Sequence, residues 1–225
     1  MMFSRLFKRK NKIVESSGVL GSLGEKRLQK EFKTTKDALH FYNKQMLTHL
    51  APLMQGFIKK QEMMFISTAD SHGECDSSFR FGEVGFVKVL DEHHLIYSEY
   101  KGNGVMASMG NISENPNIGL LFIDFFETKV GLHVNGKASI IKKESIDKQL
   151  ASFKGLADKL RKDKMQFKTV SYVLVEVEEA YIHCSLHIPI LQKVEDKEVL
   201  KKFPTRTKGG DAFEVEFTPR AWVEK

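Results

Sequence analysis

Cysteine is scarce in this chain, with only Cys75 and Cys184 among 225 residues. Two such distant cysteines build no disulfide framework and show neither the CxxC nor the knuckle spacing of a zinc site, which points to a reducing compartment. Long apolar runs are missing too. No stretch approaches the roughly 20 residues of a membrane-spanning helix, and the basic, apolar and small-residue succession of a secretory signal is absent. The expectation is a soluble, cytoplasmic protein. The glycines match no dinucleotide fingerprint or P-loop, no internal repeat is visible, and no Ser-His-Asp or Cys-His nucleophile can be argued from spacing.

Net charge is +6, but it is not spread over the chain. Residues 1–12 hold Arg5, Lys8, Arg9, Lys10 and Lys12 with no acid, so the remainder is close to neutral. A basic face for nucleic acid is not implied. The segment also carries Phe3, Leu6 and Phe7 and reads as a flexible basic tail (1–33), with weak potential for contact with an anionic membrane surface through residues 1–12.

What is present is a folded composition: 41% apolar residues and 17 phenylalanines, enough for one sizeable domain with attached segments. Thr34 or Thr35 caps a helix from Asp37 to about Leu47, and Pro52 suits the first turn of a second, in which Leu50, Leu53, Met54, Phe57 and Ile58 form an apolar stripe. Residues 34–61 are thus a helical extension. From Glu62 the pattern changes to strands and tight turns: Met63 to Ala69, Glu74 to Phe81, Val84 to Leu90 and His94 to Ser98, paired as two hairpins. Lys129 to Ile141 is a further strand, with Asn135-Gly136 suggesting a bulge. Lys143 to about Lys162 reads as helix. Tyr172 to Ala180 reads as a half-buried strand, with Val173, Val175 and Val177 on one face and Glu176 and Glu178 on the other. Short strands with few helices between them favour an antiparallel barrel. Residues 193–225 form a C-terminal arm, where Phe213, Val215 and Phe217 alternate with acids.

The stretch from Tyr97 to Asp124 is the centre of the reading. It runs from a strand end through a glycine turn and a short helix to the buried strand Ile118 to Ile123. Gly102 and Gly104 flank Asn103, and a helix beginning near Asn103 would offer unpaired amides and a positive dipole end beside Lys101 and Ser98, a natural phosphate seat. Asn115-Pro116 ends that helix.

The succession FISTAD-SHGE, DSSFR, GFVKVLDEHHLIYSEY, ENPNIGLLFID and VGLHVNGKASI resembles the pyridoxamine 5'-phosphate oxidase-like superfamily of FMN-binding split barrels, over about Glu62 to Ile141 and more loosely to Tyr181. The resemblance implies a mainly β fold with α elements: a six-stranded antiparallel split β-barrel with flanking helices, occupying residues 62–192. It also implies a homodimer with FMN in clefts at the subunit interface, and a redox enzyme exchanging electrons with a small-molecule donor or acceptor. The alternative is a carrier or sensor that binds haem or another flavin without turnover, which a histidine such as His133 or His183 near the cleft would favour.

By the same resemblance the phosphate falls to the strand end Tyr97, Ser98, Glu99 and Tyr100 with Lys101, Gly102, Asn103 and Gly104, and the ring to Ser77, Ser78, Phe79 and Arg80, with Val87 and Lys88 on the next strand. This sequence departs from the vitamin-pathway oxidase in three ways. Asn103 and Gly104 stand where the oxidase has two basic residues, Gly131 stands where it has a glutamine, and its substrate motif is not recognisable in TPRAWVEK, although Arg220 and Trp222 are present. Oxidation of pyridoxamine phosphate is therefore not expected, and no side chain is assigned a catalytic acid–base role. His183 and His187 would share a face if the segment were helical, but with Cys184 they supply at most three ligands, too few for a structural zinc. His93 and His94 are expected to be solvated in a hairpin turn.

Overall fold

The computed structural model describes residues 20–153, 155–162, 166–195, 197, 198 and 215. The basic segment 1–12, Phe213 and Phe217, and Arg220 and Trp222 lie outside them. The chain divides into two units, Met1–Pro189 and Ile190–Lys225. In the second, residues 191–195 have no regular structure, and Lys197 pairs with Glu195 at 2.7 Å.

Among the described residues, the first elements of the first unit are helices α1 (Leu23–Glu31) and α2 (Thr35–Gln45). Helix α1 lies inside the stretch read from sequence as a flexible tail. Its signal is Ser22-Leu23-Gly24-Glu25: the Ser22 hydroxyl accepts from the Glu25 N–H at 3.1 Å, as an N-cap should. Tyr42 on α2 ties the two helices together, donating to Glu25 at 2.7 Å and accepting from Gln29 at 2.8 Å. The next two residues, read as helix, are instead strand β1 (Met46–Leu47). Helix α3 (Pro52–Ile58) starts on its proline. Leu50 and Ile58 are buried, and Met54 and Phe57 pack on them, but Leu53 is 89% exposed and does not belong to the stripe.

Eight strands form one antiparallel sheet, where six were expected. Six are long: β2 (Met63–Ala69), β3 (Cys75–Phe81), β5 (His94–Tyr100), β6 (Asn117–Ile123), β7 (Gly131–Lys142) and β8 (Thr169–His183). The others, β1 and β4 (Lys88–Val89), have two residues each. The strand expected over Val84 to Leu90 shrinks to β4 because residues 82–87 turn. Gly85 takes a φ of 76°, and the Phe86 side chain fills the space beside Gly82. The order is β3-β2-β6-β7-β8-β5-β4, with β1 added on β8.

Met64, Ile66, Leu120, Phe122, Val134, Val173 and Val175 meet Leu50, Ile58 and Tyr97 in the main core. A second cluster covers the other face of β5 and β8. It joins Ile96, Tyr172 and Leu174 to Ile146, Leu150, Leu156 and Leu160. Strand β8 is therefore buried on both sides at Tyr172 to Val175, while Glu176 and Glu178 are half-buried. The cover is not the single helix expected from Lys143 to Lys162. A 3₁₀ turn (Lys143–Ser145) leads into α5 (Ile146–Gln149) and then α6 (Leu156–Arg161), interrupted before Gly155 with its φ of 70°. Each aliphatic side chain buried there is worth about 2 kcal/mol, which holds helices too short to persist alone.

The expected irregularity at Asn135-Gly136 is present, with the extra residue in the partner strand. Asn135 pairs with Glu179 and Gly136 with Val177, which leaves Glu178 bulged on β8. A Cβ on Gly136 would overlap the Glu176 carbonyl, so glycine is what lets the strands approach at the bulge.

Candidate functional site

Strand β3 alternates, and the alternation builds the site. Asp76, Ser78 and Arg80 pair with Thr68, Ile66 and Met64 of β2, all buried, and so face the barrel interior. Ser77, Phe79 and Phe81 face outward. At the far side of the barrel, Glu99 on β5 meets Arg80: Nε donates to Oε2 at 2.9 Å, and the Nη2–Oε1 distance is also 2.9 Å. The second terminal nitrogen of Arg80 donates to the Ser78 hydroxyl at 2.8 Å and the Phe79 carbonyl at 3.1 Å. No ladder joins β3 to β5 or β4 among the described residues, so this forked ion pair spans the open seam of the split barrel. Burial pushes the Glu99 carboxyl up, against the opposite pull of Arg80.

Beyond Glu99 the chain leaves the sheet through Lys101 to Met106. Gly102 and Gly104 have φ of 54° and 86°. Asn103 shapes this loop through its side-chain oxygen, which accepts from the Val105 N–H at 3.0 Å. Helix α4 (Ala107–Glu114) begins four residues later than expected, after a left-handed Met106, and has no side-chain cap. Its first-turn amides form a positive end. The carboxylate of Asp76 lies beside it and accepts from the Ser108 hydroxyl at 3.1 Å. Asn111 anchors the helix to β2 by donating to the Thr68 hydroxyl at 3.1 Å.

These pieces enclose a cleft of ≈ 380 Å³ lined by Asp76, Ser78, Arg80, Glu99, Lys101 and the loop to Met109. Of the residues anticipated from sequence, Ser78, Arg80, Lys101, Gly102 and Asn103 converge here, with Gly104 in the same loop. Others do not. Ser77 and Phe79 are on the outer face. Val87 and Tyr97 belong to the main core, Tyr97 fully buried. Ser98 is buried on the other side of β5, and Lys88 donates to the Gly85 carbonyl at 2.6 Å. Glu99 and Tyr100, in the strand end anticipated for the phosphate, also line the cleft, whereas the polar lining residues Asp76 and Ser108 were not anticipated. Asp76 carried a legible signal, since it lies two positions from Ser78 on an alternating strand.

The donor set fits a phosphate at one end of the cleft. Lys101, the glycine loop and the open amides of α4 supply a cation and N–H donors. At the other end the charges cancel, Arg80 being taken by Glu99. Asp76 brings a carboxylate to the phosphate end. The phenol of Tyr97 finds no partner in the interior, where burial pushes its pKa up and keeps it neutral.

No histidine lines the cleft. His133 and His183 lie on the outer face, where pairing runs Phe79–Phe65–Leu121–His133–Tyr181 from strand to strand. His183 ends β8, and Cys184 and His187 follow in a turn rather than a helix. His94 is not solvated as expected. It pairs with Asp91 at 2.8 Å and packs against Phe153, whereas His93 is exposed.

Among solved structures, the chain is similar to HupZ of Group A Streptococcus (18% identity, 64% of this chain and 98% of that one, TM-score 0.41). It is also similar to an FMN-binding protein of Syntrophomonas wolfei (14%, 72% and 97%, TM-score 0.41) and to HutZ, the heme storage protein of Vibrio cholerae (16%, 59% and 94%, TM-score 0.38). No curated protein matches it. No helix among the described residues is long and apolar enough to cross a membrane. The family model for pyridoxamine 5'-phosphate oxidase matches residues 50–184, a span that holds both faces of the β3–β5 seam and the whole cleft. By that match the chain belongs to the pyridoxamine 5'-phosphate oxidase family.

Proposed function

We propose that the chain is a flavoprotein that binds FMN in the cleft between β3 and β5, with the phosphate at Lys101, the Gly102-Asn103-Gly104 loop and the first turn of α4. The observation that carries this reading is convergence. Ser78 and Arg80 from one strand meet Lys101, Gly102 and Asn103 from a loop about 20 residues later in one cavity of ligand size. When bound, the flavin supplies the redox chemistry, accepting electrons from one small molecule and passing them to another. The protein's part is to bind and orient. Lys101 compensates the phosphate charge, the glycines let backbone approach it, and Ser78 and the Arg80–Glu99 pair give the interior end fixed polar groups. Asp76 carries negative charge into the same cavity and Glu99 cancels Arg80, so the affinity rests on Lys101 and the helix end rather than on a general positive field.

The family resemblance further supports a homodimer. The exposed aromatic row Phe65, Phe79 and Phe81, with neighbouring ring centroids 5.5 and 6.1 Å apart, is apolar surface that pairing would cover. The test is an absorption spectrum of the purified protein after adding FMN and removing the excess, with the mass in solution measured alongside. Retained bands in the blue and near ultraviolet that bleach with dithionite are expected. A colourless protein would overturn the flavin reading, and a sharp Soret band in the protein as purified would replace it with haem.

A further inference from the structure

His133 and His183 lie on neighbouring strands of the outer face and converge. Nε2 of His133 is 2.8 Å from Nδ1 of His183. In the register of β7 and β8, His183 stands opposite Gly131, and His133 opposite Tyr181. Both rings are held. A Cβ on Gly131 would lie 2.7 Å from that of His183, so the absence of a side chain at 131 is what admits the imidazole. His133 stacks on Tyr181 with centroids 4.7 Å apart, and Tyr181 is braced in turn by Phe41 of α2 at 5.5 Å. Both histidines keep part of their surface in solvent.

We propose that His133 and His183 form a two-histidine site for a divalent late transition metal ion on the outer face of the sheet. Imidazole nitrogens bind such ions at about 2.0–2.1 Å, so two of them stand about 2.9 Å apart at the right angle of a tetragonal copper(II) ion and about 3.3 Å apart on a tetrahedral zinc. The observed contact is about a tenth of an ångström short of the first and about half an ångström short of the second, and in either case each ring tilts so that its lone pair points at the ion rather than at the other nitrogen. With neutral rings the 2.8 Å contact holds a single proton between the two nitrogens; for both to ligate, that proton moves to the other ring nitrogen of the histidine that bears it, so both rings stay neutral and each facing nitrogen gives its lone pair. Imidazole donors select zinc, copper or nickel over magnesium or calcium. Among the described residues no group of three or more His, Cys, Asp or Glu side chains converges, so water takes the other positions and the ion stays open to an added ligand. The site is independent of the cleft, on the opposite face of the same sheet.

The test uses the full chain freed of metal by a chelator, titrated with zinc and then with copper(II) by calorimetry at pH 7.5. One ion per chain is expected, with affinity lowered more than tenfold, at least 1.4 kcal/mol, in both His133→Asn and His183→Asn. It should be unchanged in His49→Asn, whose ring neighbours His93 at 6.1 Å elsewhere on the surface. Retention of wild-type affinity by either single variant would overturn the proposal. Should the variants fail to fold, electron paramagnetic resonance of the copper(II) form of the wild-type protein decides: coupling to two imidazole nitrogens supports the site, and any other number, or no bound copper, overturns it.

Discussion

The two faces of one sheet differ in how they treat charge. The inner face at the seam buries Glu99 and half-buries Arg80 and Asp76, and each acquires a partner there: the forked Arg80–Glu99 pair and the Ser108 hydroxyl on Asp76. On the outer face, one residue along the same strands, Phe79, Phe65 and Leu121 lead into His133 and Tyr181, with aromatic surface left exposed. A charged group inside must be compensated by geometry because water is not there to do it. An apolar group outside needs no partner in the monomer, and it marks surface that another body can cover. On the proposed reading the inner face is a binding cavity whose affinity is tuned by opposing charges, and the outer face is apolar surface carrying the two histidines.

If this contrast is right, the largest effect comes from breaking the pair that closes the seam. Glu99→Leu leaves the Arg80 guanidinium without the carboxyl oxygens it donates to and should lower stability by about 3 kcal/mol in urea unfolding. Replacing both residues, Arg80→Met with Glu99→Met, should recover most of that loss, because two buried charges are removed together. The pH dependence follows from the same group. Its folded pKa is raised, so its stabilising contribution is complete below the ordinary glutamate range and is lost as pH rises through the folded value. Glu99→Gln should remove that part of the slope. A loss under 1 kcal/mol in Glu99→Leu would mean that the seam is held by packing alone.

The next effect belongs to the phosphate end. Lys101→Ala with Asn103→Ala removes the exposed cation and the side chain that shapes the loop by accepting from Val105. FMN affinity should fall more than tenfold, measured by fluorescence quenching, with urea stability changed by less than about 1 kcal/mol. Equal affinity in the double variant would move the phosphate away from this loop.

The fold was legible where sequence period and burial agree. Strands β2, β6 and β8 announce themselves by alternation or by an apolar run, and the order of motifs pointed to a split barrel. The cleft was legible in part, because a motif read as a continuous run mixes faces: in Ser77 to Arg80, only Ser78 and Arg80 look inward. Tyr97 and Val87, assigned to binding by the resemblance, pack in the main core instead, each following an apolar residue, Ile96 or Phe86. The Arg80–Glu99 pair could not be read at all, since the two strands are not partners in the sheet and meet only because it curls. The same holds for His133 and His183, separated by 50 residues and joined by the register of β7 with β8. Helix α1 was missed because its cap, Ser22 with Glu25, precedes a run without an apolar stripe, and no residue of that helix is buried.

The smallest effect has the opposite sign and separates the two ends of the inner cleft. Asp76 stands beside the first turn of α4, where an incoming phosphate would share its space with a carboxylate. Asp76→Asn keeps an oxygen to accept from the Ser108 hydroxyl and removes the charge, so the helix stays anchored while like-charge repulsion disappears. FMN should bind about threefold more tightly at low ionic strength, a gain of about 0.6 kcal/mol that shrinks as salt screens the two charges. Weaker binding would mean that Asp76 accepts a hydrogen bond from the ligand itself and faces its sugar alcohol or ring rather than its phosphate. Salt is the second readout: a change caused by lost repulsion fades between about 0.01 and 0.15 M, whereas a change caused by a lost hydrogen bond persists.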